Sequence, residues 1–345
     1  MPTRDDEILD ESLARLARTG PEYRGGLSNH GPMAAEALVR LGRADQVEHW
    51  VDSYIQQLDD APRPSGRITD DTWREALGDH ARVADWTDYL ASQLADEPWR
   101  DVLARWWPRL APGLAAAATH GIIRTSHAAR ALNASPSPER ARELAHALGY
   151  WAATYDELPG TPRTSGQQAP AQAVRGLPRQ ATRPEHGLIS AELRRRLDGD
   201  TQLVPAVDAL RPPTDVQADL LALGTEFASQ FVVYGRTHPI AMLHAVTASV
   251  AARSVLPLLP AEVARGTYDR LWQAGAALVS VYSSGAAAEA VPASEPPGLD
   301  DLADRAAQTG DAHAIKLTEA CLRLHAEHPE PVLLHAAARA SELLG

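Results

Sequence analysis

Apolar residues in this chain recur every three or four positions and almost never every second one. The first segment sets the pattern: Ile8, Leu9, Leu13 and Leu16 form one stripe at the helical period. Strand-type alternation is nearly absent, with Phe231-Val232-Val233-Tyr234 the one tempting stretch. Aromatic residues make up 5% and hydrophobic residues 44%, so alanine carries much of the apolar share. A sandwich or barrel needs β-branched and aromatic side chains on its pleated faces, whereas helices can pack through small residues. The expected fold class is all-α: a two-half helical bundle with a long Pro/Gly-rich surface loop.

Helix boundaries are partly legible. Ser28-Asn29-His30-Gly31-Pro32 places polar capping residues just before a proline, which is a helix start. Gly42 closes that helix, and a second runs from about 44 to 58. Residues 73–94 read as helical with breaks, 97–110 as a helix carrying Trp99, Trp106 and Trp107, 112–132 as one long alanine-rich helix, and 136–155 as another. Residues 159–186 are Pro, Gly, Gln and Arg without a sustained period, which reads as a lid, a linker or a boundary. Helical patterning then resumes to the C-terminus. The expected organisation is an N-terminal helical half (1–158), the loop (159–186) and a C-terminal helical half (187–345), integrated into one domain. No self-similarity appears at periods of roughly 33–47 residues, so a helical repeat array is not supported.

Composition removes several function classes. Asp and Glu outnumber Lys and Arg by 45 to 33, giving a net charge of −12. A nucleic-acid binder that neutralises phosphates would carry the opposite balance. The lone Cys321 excludes an internal disulfide framework and any cysteine-rich metal cluster. No apolar run approaches the roughly 18 residues of a membrane span, and the charged amphipathic N-terminus is unlike a secretory signal. A cytoplasmic protein acting on a small molecule, free of membrane and nucleic acid, is expected, and a homodimer is an admissible assembly. There is no GxGxxG after a strand, no P-loop, no GxSxG elbow and no HExxH helix, so no flavin or nucleotide site is recognised. What remains is a metal site built from histidine, or no enzyme at all.

The chain holds 13 histidines, and Lys316 is its only lysine among 33 basic residues. Wherever a surface positive charge sufficed, arginine served. A retained lysine can supply an amine that loses its proton, which guanidinium cannot; a chance survivor is the bland alternative. His30 lies at the helix start described above. His120 sits in an almost wholly apolar stretch, and His127 shares its helix face seven residues on. His244 is likewise in apolar surroundings, and His313 and Lys316 stand three apart on one face. His49, His80, His146, His186, His325 and His328 lie in polar contexts and read as surface. A single buried histidine is ordinarily a core residue bonded to a carbonyl. Several on different helices can instead form a metal site inside a bundle, where imidazole suits Fe, Cu, Ni or Zn.

Four stretches, in order along the chain, resemble the questin oxidase-like family: Ser28-Asn29-His30-Gly31-Pro32-Met33, Leu110 to Ile123 around His120, Leu243-His244-Ala245-Val246-Thr247, and Asp311 to Leu317 with His313 and Lys316. They span residues 28–317, nearly the whole chain. The resemblance implies a helical non-haem iron oxygenase. It implies Fe(II) held by His30, His120, His244 and His313 with Lys316 as a CO2-derived carbamate, and O2 as co-substrate. His127, where fungal members vary, is a substitute ligand or neighbour of the site; His238 and His335 are outside candidates. Asn29, Thr119 and Glu319 are nearby in sequence and can orient ligands. The implied substrate is a polycyclic aromatic polyketide such as an anthraquinone or its reduced form, opened by C–C cleavage or Baeyer–Villiger-type oxygen insertion. Arg124, Tyr234, Trp272 and Tyr282 are candidates to line its pocket; ordinary core packing is the alternative for each aromatic. Residues 159–186 match no motif of the family. Two other functions remain: a zinc hydrolase at the same residues, which would want additional carboxylates between two metals, and a non-catalytic helical protein with structural histidines.

Overall fold

The computed structural model describes residues 2–180, 182–185 and 187–345. Helix accounts for 66% of the chain, as the 3.6-residue periodicity requires for an all-α fold. His186, read above as a surface histidine, lies outside the described residues. The chain divides into two compact units: residues 1–157 with 254–263, and residues 158–253 with 264–345.

The first unit contains α1 (Arg4–Leu16), α2 (Gly31–Arg40), α3 (Ala44–Ile55), α4 (Val83–Asp96), α5 (Trp99–Leu110), α6 (His120–Ala134) and α7 (Pro138–Ala153). A small hairpin, β1 (Glu22–Tyr23) antiparallel to β2 (Leu27–Ser28), leads into α2. Helix α7 packs on α4 and α6, and α2 lies against α1, α3 and α6. The core is built from buried tryptophans, with Trp107 and Trp151 edge to face at 5.4 Å and Trp86 and Trp106 likewise at 5.4 Å. Gly121 fits because Trp151 fills the space a side chain would take: an added Cβ would lie 2.6 Å from the indole.

The second unit contains α8 (Pro170–Arg175), α9 (Ile189–Leu197), α10 (Leu203–Asp208), α11 (Val216–Tyr234), α12 (Pro239–Val255), α13 (Ala261–Tyr282), α14 (Leu299–Thr309), α15 (Ala312–Glu327) and α16 (Pro331–Leu344), apart from the end of α12 and the start of α13. Helices α15 and α16 pack on each other and on α11 and α14. Phe227 of α11 stacks on Trp272 of α13, whose indole N–H donates to the Val207 carbonyl of α10 at 2.9 Å.

Four local expectations change. Phe231–Tyr234 is the last turn of α11, because Phe231 and Val232 continue the buried face of that helix. Residues 112–132 are not one helix; the backbone turns left-handed before α6. The window Pro239–Leu258 is apolar and long enough for a membrane span, contrary to the reading that no such run exists. Of that window 78% is buried inside the protein, as in a core helix. Within 159–186, Pro170–Arg175 forms α8, which packs on α11.

Candidate metal centre

In the first unit, the turn before α2 is folded by Asn29. Its side-chain oxygen accepts from Gly31 N–H at 2.9 Å, and its amide donates to Thr19 Oγ1 and the Gly20 carbonyl. Pro32 then starts the helix with its fixed φ. His30, one residue ahead of α2, is thereby held in the core at 4% exposure.

His120 is brought up by a different device. Ala117, Ala118 and Thr119 have φ values of 47°, 54° and 68°, a run of left-handed residues with no glycine among them. Each such residue costs roughly 1–2 kcal/mol. The strained turn aims the Ala117 carbonyl at His120 Nδ1, 2.5 Å away. His120 Nε2 then stands 2.7 Å from His30 Nε2. Beside it, the buried Thr119 hydroxyl has no hydrogen-bond partner among the described residues.

In the second unit, Asp311 caps α15, accepting from the backbone N–H groups of His313 at 2.7 Å and Ala314 at 3.1 Å. The same carboxylate lies 3.4 Å from His313 Nδ1. Burial lowers the His313 pKa, and Asp311 opposes this. His244 on α12 sends Nδ1 to the Ile240 carbonyl at 2.5 Å, and its ring stands edge-on to that of His313 with centroids 5.5 Å apart. Lys316, one turn along from His313, is 1% exposed. Its Nζ has no hydrogen-bond partner among the described residues. Burial brings its amine down to about 7, with Asp311 pulling the other way.

A common pattern joins these histidines. His120, His244 and His313 each present Nδ1 to an oxygen acceptor, which fixes the proton there and the lone pair on Nε2. That is the tautomer a metal-binding imidazole needs. His30, His120 and His313 are buried and can each offer a ring nitrogen to a metal ion. A buried amine without an acceptor also fits a site that takes a metal through a lysine-derived anion.

The other candidates have separate surroundings. His127 hydrogen-bonds Glu36 at 2.9 Å, and Glu36 also takes Arg130 and Arg40. Burial works against the Glu36 charge, yet Arg130 and His127 outweigh it and hold the carboxyl well below its usual range. Arg124 is paired bidentately with Glu143 at 2.6 and 2.8 Å, so its guanidinium is engaged within the core. Trp272 is a core residue, as described above. His238 packs against Tyr282 at 5.4 Å, and Arg179 covers Tyr234 at 3.9 Å. His335 lines a cavity of about 210 Å³ that none of His244, His313 and Lys316 borders. Glu319 pairs with Arg323.

The orienting groups are therefore mostly other than those expected from sequence proximity. Asn29 shapes the backbone, while Asp311 and the Ala117 and Ile240 carbonyls meet the imidazoles directly. Asp311 was legible as a cap two residues ahead of His313; the carbonyls carry no sequence signal. His146 is also more enclosed than its polar neighbours suggest, because α7 is covered by α4 and α6. Burial pushes its pKa down to about 4.

No curated protein matches the sequence. A family model described as questin oxidase-like matches residues 27–321 and takes in His30, His120, His244, His313 and Lys316. With that match covering most of the chain, the protein belongs to the questin oxidase-like family, a family of oxidoreductases.

Proposed function

We propose that this protein is a non-haem Fe(II)-dependent oxygenase that opens a ring of a polycyclic aromatic polyketide, an anthraquinone or its reduced form. One ferrous ion would be held by His30, His120, His244, His313 and the carbamate of Lys316. The observation that carries this reading is Lys316: the sole lysine, buried, three residues from His313, with an amine that meets no acceptor among the described residues. Membership of an oxidoreductase family supports it.

The residues have distinct tasks. Burial lowers the Lys316 pKa to about 7, so near neutral pH a large share of the amine is in the neutral form whose nitrogen attacks CO2. The C–N bond forms, one proton leaves, and a carbamate anion results. Arginine cannot do this, because guanidinium stays protonated. The Nδ1 acceptors hold the imidazoles in one tautomer and one rotation. Four neutral imidazoles and one anion would hold the ferrous ion. Held by these residues, ferrous iron would supply the reducing power that makes O2 reactive toward an electron-rich ring. Zinc hydrolysis finds no support in a carboxylate set, since Asp311 is committed to the α15 N-terminus and His313.

Reconstitution with Fe(II) under CO2-containing anaerobic buffer tests the reading. About one iron per chain, and O2 uptake with an anthrahydroquinone, are expected. Lys316→Met, which puts no permanent charge into the core, should retain the fold and lose both iron and O2 uptake. Full activity in that variant rules out the carbamate.

A further inference from the structure

A cavity of about 670 Å³ lies between residues 66–73 and helices α4 and α5 of the first unit. That volume is ordinary for a small-molecule site, and none of the candidate metal ligands borders it. Most of its lining residues are polar or charged, so it suits a polar guest and not a bare ring system. One wall is aromatic, formed by Trp73 and Tyr89. Behind it Trp106 stands edge-on to these rings at 5.1 and 5.9 Å and donates its N–H to Gln93 Oε1 at 2.8 Å.

Most charges on the wall are already matched. Arg105 grips Glu97 through two hydrogen bonds of 2.9 and 2.8 Å. Asp85 accepts from Arg82 and from the backbone N–H groups of Ser65 and Gly66 at 2.7 and 3.0 Å. Asp70 accepts from the Tyr89 hydroxyl at 2.5 Å. Asp88 and Asp96 are exposed. Arg109 differs. Its guanidinium lies 4.9 Å from the Trp73 ring centre and 4.8 Å from that of Trp106, and among the described residues it meets no carboxylate at ion-pair distance. Burial and the guanidinium groups of Arg105 and Arg74 hold its pKa below the ordinary arginine value, with Tyr89 and Asp70 opposing them. Its charge is therefore incompletely compensated, and a second cation in the cavity would be repelled. Attraction to an aromatic face leaves the in-plane N–H donors of a guanidinium available, and those donors match an oxyanion in pairs. Asp70 keeps lone pairs for a hydroxyl of the same guest.

We infer that this cavity is a second small-molecule site, which binds a hydroxylated oxyanion, a carboxylic acid or a phosphate ester, on the Arg109 guanidinium. The inference does not depend on the metal centre, since the two share no residue.

The probes are inorganic phosphate and succinate, titrated into the full chain at an ionic strength held constant with sodium chloride. Tryptophan fluorescence reads the anion drawing Arg109 off its indoles. Wild type should show a saturable change with a dissociation constant of about 1 mM or tighter for at least one probe. Arg109→Met keeps an apolar stem against the rings and should bind about 10–100-fold more weakly. Binding of phosphate alone assigns a phosphorylated guest, of succinate alone a carboxylic acid, and of both an oxyanion site without preference; each upholds the inference. No saturable change with either probe in wild type overturns it. So do affinities of wild type and folded Arg109→Met within about twofold of each other, which would leave Arg109 simply packed on its indoles. A measurement on wild type alone stands beside the variant: the arginine Nε–H resonance displaced by the indole ring currents should move with the same midpoint as the fluorescence. A resonance unmoved at saturation overturns the inference.

Discussion

The two nitrogens of an imidazole have unequal tasks, and in this protein Nδ1 is the one the fold takes in hand. Two histidines give it to backbone carbonyls and one to a carboxylate. Burial matters as much as bonding, as His146 illustrates. Its native pKa of about 4 lies below the ordinary histidine value of 6.5; Glu143 raises it, while Arg124 and Arg142 add to the lowering. The unfolded chain therefore binds a proton between these values that the native protein refuses. Stability should be fully present above about pH 6.5 and decline as pH falls toward 4, by about 1.4 kcal/mol for each unit separating the two pKa values. Urea midpoints from pH 7.5 to 4.5 check this: His146→Gln should flatten the decline. An unchanged slope would assign acid sensitivity to other groups.

At the scale of the element, caps were readable and strained turns were not. Asp311 ahead of α15, Asp215 ahead of α11 and Thr3 ahead of α1 all accept from the first helical N–H groups, as their residue types predict. The run Leu114 to Thr119 reads as strong helix former, yet three of its residues turn left-handed. Local propensity opposes that conformation, so the packing that buries Ala116, Ala118 and Thr119 must enforce it. Ala118, at φ 54°, offers a test by substitution in both directions. Ala118→Gly removes the Cβ penalty, and its gain of up to about 1 kcal/mol is reduced by the greater entropy of the unfolded chain. Ala118→Val places a branched side chain where it fits worst and should cost about 2 kcal/mol. Equal midpoints for the two variants would mean the turn is not strained. The small hairpin before α2 escaped the sequence for a related reason: two-residue strands leave no alternation to detect.

For the whole molecule, a ligand bound only by the folded state stabilises it by mass action. A divalent metal at a hundredfold excess over its dissociation constant should add about 2.7 kcal/mol. Thermal melts should therefore rise with Co(II), fall back with a chelator, and show no rise in Lys316→Met. A wild-type melt indifferent to metal would argue that the buried histidines serve the core alone. By itself the sequence determined the fold class, because helical periodicity in an alanine-rich chain leaves no pleated face to bury. It also marked His120 and His244 as lying in apolar surroundings and Lys316 as the one amine the chain kept, since apolar neighbours and the near-elimination of lysine are properties of the chain. Only the tertiary structure decided which nitrogen of each imidazole is engaged, that Arg109 reaches Trp73, and that Arg124 is spent on Glu143. Those facts depend on side chains far apart in sequence meeting in space, and on carbonyl directions set by backbone angles that residue identity does not encode.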